Sequence, residues 1–298
     1  MTKRKALFIG EAMIEISRQA NALKFGFAGD VLNTAWHMRR LLPHSDWEVA
    51  FFTATGRDVH SRSMRDFITR SGIELSGSPA LETHHPGLYI VHQENGDRQF
   101  TYWRKNSAAR HLADDGDALW DAMSAADMIY LSGITLAILP LTRRLSFLRN
   151  LKRVSKRGTR VAFDPNIRRA LWNSPSQMRA GVTAAARLAN VILPTFADER
   201  EHFKDASLLA CANRYVGLGA EEVIVKNGSG PMIAAFEGMT KDIPVAPATE
   251  VVDPTGAGDA FNAGYLAARL DGQPVLPSVK AGHRLALDVI GRHGAIGS

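Results

Sequence analysis

Six apolar runs of strand length, separated by helical patterns, constrain this sequence more than any other feature. They are ALFIG (6–10), VAFFT (49–53), MIYLS (128–132), RVAFD (160–164), VIL (191–193) and EVIVK (222–226). Runs this short and this continuously apolar suit strands buried on both faces. Between them, residues 58–70, 141–156 and 177–189 carry apolar side chains at three- and four-residue intervals with charged residues opposite, which predicts amphipathic helices. The alternation predicts an α/β fold, a central, mostly parallel sheet flanked by helices on both faces. Ligands in such folds lie beyond the carboxyl ends of the strands. Asp164, Asn166 and Arg168 after RVAF, and Lys226 with Gly228 after EVIV, gain weight accordingly.

With 298 residues, 45% hydrophobic and 22% charged, the chain is neither disordered nor fibrous. The single cysteine, Cys211, cannot form an internal disulfide, and the apolar run after the basic N-terminus is broken by Glu11 and Glu15. Neither a signal peptide nor a membrane span is predicted, and a cytoplasmic location is expected. Thirty-six Lys and Arg against 30 Asp and Glu give +6, a field that favours anionic partners. Those cations are spread along the chain without a zinc-finger, RRM or zipper pattern, so small anions such as a nucleotide or a sugar acid are expected rather than nucleic acid.

Two stretches leave the α/β rhythm. AMIEIS (12–17) alternates, and GLYIVHQENGDRQFTYWR (87–104) reads as a hairpin turning at Asn95–Gly96. The two-residue period puts Arg98, Phe100, Tyr102 and Arg104 on one face, with Gln99, Thr101 and Trp103 on the other. A small β-sheet lid carrying a phenol and a cation on one face is therefore predicted over the body. No linker or repeat interrupts the chain, so residues 1–298 are read as one domain with lid segments at roughly 11–27 and 85–110.

The segment VVDPTGAGDAFNAGYLAARL (251–270) is the most informative chemically. Its pattern predicts a helix starting near Gly258 or Asp259. The N–H groups of Gly256, Ala257 and Gly258 would converge at that helix start, where free donors and the helix dipole favour negative charge. This suits an anion hole for a transferring phosphoryl group. Asp259 could simply cap the first turn; next to those glycines it is instead a candidate general base, expected to have its pKa lowered by the helix end. A Walker loop, a dinucleotide-binding GxGxxG, a GxSxG elbow and zinc-type His/Cys spacing are all missing. His60, His84 and His85 are expected at the surface, and Trp103 and Trp172 as packing residues.

DPTGAGDAF (253–261) resembles the C-terminal signature of ribokinase-like (PfkB-type) carbohydrate kinases, and the resemblance extends over nearly the whole chain. GEAMIEIS, FAGDVLNTA, PGLYIV, YWRKNSAA, LSGITLAIL and FDPNIRRALW are similar to segments of those members that act on 2-keto-3-deoxygluconate. The resemblance implies an ATP- and Mg2+-dependent phosphorylation of that sugar acid at its terminal primary hydroxyl. It makes Asp259 the base and Gly256, Ala257 and Gly258 the anion hole. Substrate contacts are implied for Gly29, Asp30, Asn33, Tyr89, Tyr102, Arg104 and Arg168, and nucleotide contacts for Lys226, Gly228 and Gly230 as well as the Gly256–Gly258 loop. His283 and Ala286 are implied as walls around the adenine. Magnesium is expected on phosphates and water, without a firm protein ligand.

The sequence departs from the family pattern at Ala28, at Thr195 and Asp198, where an Asn-x-x-Glu motif is usual, and at Asn227. Asp198 and Glu199 are carried only as outlying candidates near metal and phosphate. The alternatives are a related kinase for fructose, ribose or the galactonate epimer, and a catalytically silent sugar-acid or nucleotide-binding regulator. Exposed lid edges suggest a homo-oligomer, a dimer or larger.

Overall fold

The computed structural model describes residues 3–19, 22–75, 77–94, 97–246, 248 and 250–296. From β1 (Arg4–Ile9) the chain enters the lid through β2 (Met13–Gln19) and β3 (Ala22–Ala28), then returns along α1 (Asp30–Leu41) to β4 (Trp47–Phe52). A short pair, β5 (Thr55–Gly56) and β6 (Ala80–Leu81), brackets α2 (Val59–Arg70). The hairpin β7 (Gly87–Glu94) and β8 (Asp97–Trp103) completes the lid; its predicted turn at Asn95–Gly96 and the Arg98 side chain lie outside the described residues. The body continues through α3 (Gly116–Ser124), β9 (Met128–Ser132), α4 (Gly133–Ile138), α5 (Leu141–Ser155) and β10 (Arg160–Asp164). Next come α6 (Pro175–Ala186), β11 (Val191–Ile192), α7 (Phe196–His202), α8 (Leu208–Val216) and β12 (Glu222–Val225). Two antiparallel strands, β13 (Met232–Phe236) and β14 (Met239–Ile243), precede α9 (Ala257–Leu270) and α10 (Val275–Ile290).

All six predicted body strands are present. They form an eight-stranded sheet in the order β14-β13-β12-β11-β10-β9-β1-β4, parallel except at β13 and β14. The strands separate two cores by their own alternation: Leu7, Ile9, Ile129, Leu131, Val161 and Phe163 face α3–α6 and α8, while Ala6, Phe8, Tyr130 and Ala162 face α1, α2, α9 and α10. Both faces of each central strand are therefore dry, which is why the runs read as apolar throughout. Phe8, Phe163 and Phe147 are completely buried, and truncating any one of them to Ala should cost about 3–5 kcal/mol. Trp172 is buried as expected, stacked under Arg144.

The lid is a four-stranded sheet, β3-β2-β7-β8, in which β2 and β7 run parallel. One face carries Ile14 and Phe27 into the core beside α2, and the other, with Met13 and Tyr89 buried, lines the cavity. Leu23, Phe25, Tyr102 and Trp103 remain substantially exposed, Trp103 by 55%. Trp103 thus departs from its expected packing role: it lies beside Leu88 on the lid face that turns away from the cavity, with more than half of its surface exposed.

Candidate active site

The carboxyl ends of β1, β9, β10, β11 and β12 open on a cavity of about 680 Å3 that is roofed by the lid. Gly29, Asp30, Asn33, Tyr89, Tyr102, Arg104, Arg168, Lys226, Gly256, Ala257, Gly258 and Asp259 all line it. The structure does not bring Gly228 and Gly230 into this lining. They lie in the loop beyond Lys226, where Gly230 is held by Asn227.

Helix α9 begins at Ala257, one to two residues before the predicted start. Gly256 precedes it in the left-handed region at φ 79°, and a Cβ there would approach Ala295 to 2.4 Å. Only glycine suits that bend and that space. No side chain caps α9, as is also true of α1, α5, α7 and α10, but it is the start of α9 whose first residues line the cavity. Ala257 N–H makes a 3.3 Å bond to the Pro254 carbonyl, weak enough to yield to a better acceptor.

Asp259 stands in the first turn of α9 and its Oδ2 accepts a 2.8 Å hydrogen bond from Asn33 Nδ2. The sequence-based expectation of a lowered pKa is overturned. Burial, followed by the neighbouring Asp30 carboxylate, pushes the Asp259 carboxyl well up, with Asp164 adding to the rise; Asn33 and Lys226 oppose it. Desolvation and two like charges outweigh the helix end, whose partial charge is at most about half an electron. A base with a raised pKa is the stronger proton acceptor.

Asn33 therefore serves Asp259 directly, while its Oδ1 accepts from Gly29 N–H at 3.3 Å. Gly29 is required by crowding, because a Cβ would sit 2.3 Å from the Glu11 carbonyl oxygen. Asp30 accepts from Asn166 Nδ2 at 2.7 Å, and Asn166 N–H in turn donates to Asp164 Oδ1 at 3.0 Å. Asn166 holds a left-handed φ of 32°, uncommon for a non-glycine residue and typical of functional loops.

On the lid side, Phe100, Tyr102 and Arg104 reach the cavity, as the two-residue period predicts. Arg104 is half-buried against Glu11, to which it donates, and Glu11 also accepts from Ser107 Oγ at 2.6 Å. Glu11 is 2% exposed and belongs to the site, yet the sequence pattern marked it only as a break in an apolar run. Among the described residues the buried Nε of Arg104 has no hydrogen-bond partner, so the guanidinium keeps unused donor capacity at the cavity wall. Tyr89 donates to Glu15 and packs tilted against Tyr102, ring centroids 5.6 Å apart. Its hydroxyl is thus committed, and what it offers a sugar is mainly the ring face. Arg168 is half-exposed, with Nη1 3.6 Å from Asp198 Oδ2.

Thr195 and Asp198 line the cavity where the family motif would place its polar pair. Glu199 does not. It is fully buried on the inner side of α7, accepting from Arg214 Nη2 at 2.7 Å and Tyr215 Oη at 3.0 Å, with its pKa raised by burial to about 7. Glu199 is a structural anchor. His283 hydrogen-bonds the Ala246 carbonyl at 3.0 Å, and Ala286 packs on the core around α9.

One cavity thus gathers a buried carboxylate, a glycine-led helix start and the cations Arg104, Arg168 and Lys226. The model of the pfkB family of carbohydrate kinases matches residues 3–298, and the chain belongs to that family. It is 34% identical over 302 residues to the 2-dehydro-3-deoxygluconokinase of Dickeya dadantii, covering 99% of this chain and 97% of that protein. Among solved structures it is similar to a PfkB protein from Polaromonas sp. JS666, with a TM-score of 0.84, 27% identity and coverage of 96% and 95%. A ribokinase II from E. coli in complex with ATP and Mg2+ superposes with a TM-score of 0.83 at 20% identity, covering 99% and 94%. No helix among the described residues is long and apolar enough to cross a membrane.

Proposed function

We propose that this carbohydrate kinase transfers the γ-phosphoryl group of ATP to the terminal primary hydroxyl of 2-keto-3-deoxygluconate, giving 2-keto-3-deoxy-6-phosphogluconate and ADP. The observation that carries the reading is one cavity holding both Asp259 at an uncapped helix start and the pair Arg104 and Arg168. The first two are what any sugar kinase needs. The arginines are what a sugar acid adds, since a carboxylate is gripped best by a guanidinium fork. The likeness to 2-dehydro-3-deoxygluconokinase over nearly the full chain supports the same substrate.

In this reading the substrate carboxylate lies between Arg104 Nε and Arg168, and Tyr89 and Tyr102 pack on the carbon chain. Gly29, Asp30 and Asn166 hold sugar hydroxyls. The terminal hydroxyl meets Asp259, which takes its proton as the oxygen attacks phosphorus; the bond from phosphorus to the bridging oxygen breaks and ADP leaves. Amides of Gly256–Gly258 receive the charge that develops on the phosphoryl oxygens. Lys226, Gly228 and Gly230 belong to the ATP side in the family pattern, and of these Lys226 borders the cavity. The hard oxygen donors Thr195 and Asp198 fit a magnesium ion held chiefly by phosphates and water, with Asp198 able to anchor its water shell. When bound, that ion neutralises phosphate charge.

A coupled ADP-release assay with ATP and Mg2+ over 2-keto-3-deoxygluconate, its galactonate epimer, gluconate, fructose and ribose tests the reading. The expected result is a kcat/KM at least about tenfold higher for keto-deoxy acids, a transition-state difference of about 1.4 kcal/mol. Activity confined to fructose or ribose would discard the substrate. The exposed lid edges further suggest a homo-oligomer, which light scattering tests directly.

A further inference from the structure

Three carboxylates, Asp30, Asp164 and Asp259, converge beneath the glycine loop with one buried lysine among them. Lys226 is 7% exposed. Its ammonium donates to Asp164 Oδ2 at 2.9 Å and to Asn262 Oδ1 at 2.9 Å. Asn262 returns its amide to Asp164 Oδ2 at 2.6 Å and to Tyr130 Oη at 2.9 Å, closing a ring of bonds across β9, β10, β12 and α9. The ammonium also lies beside the anion hole, 3.6 Å from where a Cβ on Gly258 would stand.

This geometry differs from that of a lysine that reaches out to a nucleotide. Two of its three donors are fixed inward, and the glycines that follow it lie outside the cavity lining. We propose that Lys226 is a positioning residue that holds a positive charge beside the general base: clamped between Asp164 and Asn262, its ammonium partly offsets the carboxylates around Asp259. The inference rests on the assignment of Asp259 as the base under the proposed function.

The groups facing Asp259 set the sign. Asp30 and Asn33 come from α1, Asp164 from β10, Lys226 from beyond β12, and the neutral phenols of Tyr130 and Tyr89 from β9 and the lid. Asp30 and Asp164 favour the protonated base. Asn33 and Lys226 favour its carboxylate, and only Lys226 does so with a full charge. Removing that charge raises the pH below which the base is protonated and activity is lost; removing Asp164 lowers it.

The test is the acid limb of the kcat/KM profile, measured with ATP–magnesium and whichever sugar of the panel the wild-type protein phosphorylates fastest, so that a wrong substrate does not obscure the result. Comparison among variants with the same nucleotide isolates the protein's own group. Lys226→Met is expected to move the limb up by about one pH unit or more, the shift typical of losing an opposite charge at short range. Lys226→Arg should keep it near the wild-type position, and Asp164→Asn should move it down. A Lys226→Met enzyme with lower activity at every pH but an unmoved limb would overturn the proposal, because a lysine that only binds phosphate or only fills space leaves the limb in place. If Lys226→Met fails to fold with Asp164 unpaired, the double variant with Asp164→Asn relieves that burial penalty. Asp164→Asn alone then decides: a limb at or above the wild-type position refutes the charge balance.

Discussion

The body sheet and the lid sheet are made of the same element type and do opposite work. In the body, β1, β9 and β10 are buried on both faces, and the end of β10 and the start of α9 present Asp164, Asp259 and the glycine loop from that two-sided core. In the lid, four strands are packed less completely, carry Phe25, Tyr102 and Trp103 partly in solvent, and contribute Tyr89, Tyr102 and Arg104 to the cavity. Phosphoryl chemistry demands donors fixed to within a few tenths of an ångström, which a close-packed core supplies. Substrate choice needs a removable cover, and a half-packed sheet is less costly to move. The division predicts that variants at the body's carboxylate and glycine loop should change kcat, and that variants on the lid's cavity face should change KM.

The sharpest test lies in the body. Asp259→Asn keeps the bond geometry to Asn33 but removes the proton acceptor, and kcat should fall by about 10^3–10^4-fold while the sugar's Kd changes only a few-fold. Retention of most of kcat would break both the base assignment and the functional split. On the lid side, Arg104→Met should raise KM for a keto-deoxy acid by about 100-fold with a far smaller change in kcat. It should also lower the melting temperature, because Glu11 is left buried and unpaired, a penalty of about 3–5 kcal/mol. An equal loss in kcat would mean that the lid takes part in chemistry.

Those two residues also mark the limits of what could be read from the chain. The body strands were legible because burial on both faces leaves a continuous apolar run, and the glycine loop because its residue types have few other uses. The face carrying Phe100, Tyr102 and Arg104 followed from a two-residue period. The pKa direction of Asp259 did not, since Asp30 and Asp164 come from 229 and 95 residues away in the chain and only the fold assembles them. Glu11 escaped for the same reason: a buried acid is recognised by the arginine it meets, here 93 residues on. Glu199 shows the converse, an acid suggested by its proximity to a motif but turned away by the helical step from its neighbour Asp198.

Gly256→Ala is the next smaller change. It forces an alanine to φ 79° and drives its Cβ into Ala295 at 2.4 Å, so a loss of about 1–3 kcal/mol in unfolding stability is expected. Since the bend aims the anion-hole amides, kcat should fall with KM for the sugar little altered. Thermal melts and initial rates on one preparation check both parts. An unaltered kcat would separate the glycine's structural need from its chemical one.

Arg168 is the smallest test and the one that sharpens the comparison most, because it belongs to the body yet faces the lid's arginine across the substrate space. Unlike Arg104 it is half-exposed, and its contact with Asp198 at 3.6 Å is loose, so removing it costs little stability. Arg168→Ala should therefore leave the melting temperature within about a degree and raise KM for a keto-deoxy acid by about tenfold, near 1.4 kcal/mol. Fructose, which has no carboxylate, should show no such penalty. A penalty shared equally by acid and neutral sugar would place Arg168 on the phosphate instead, and the recognition of the acid group would then fall to the lid alone.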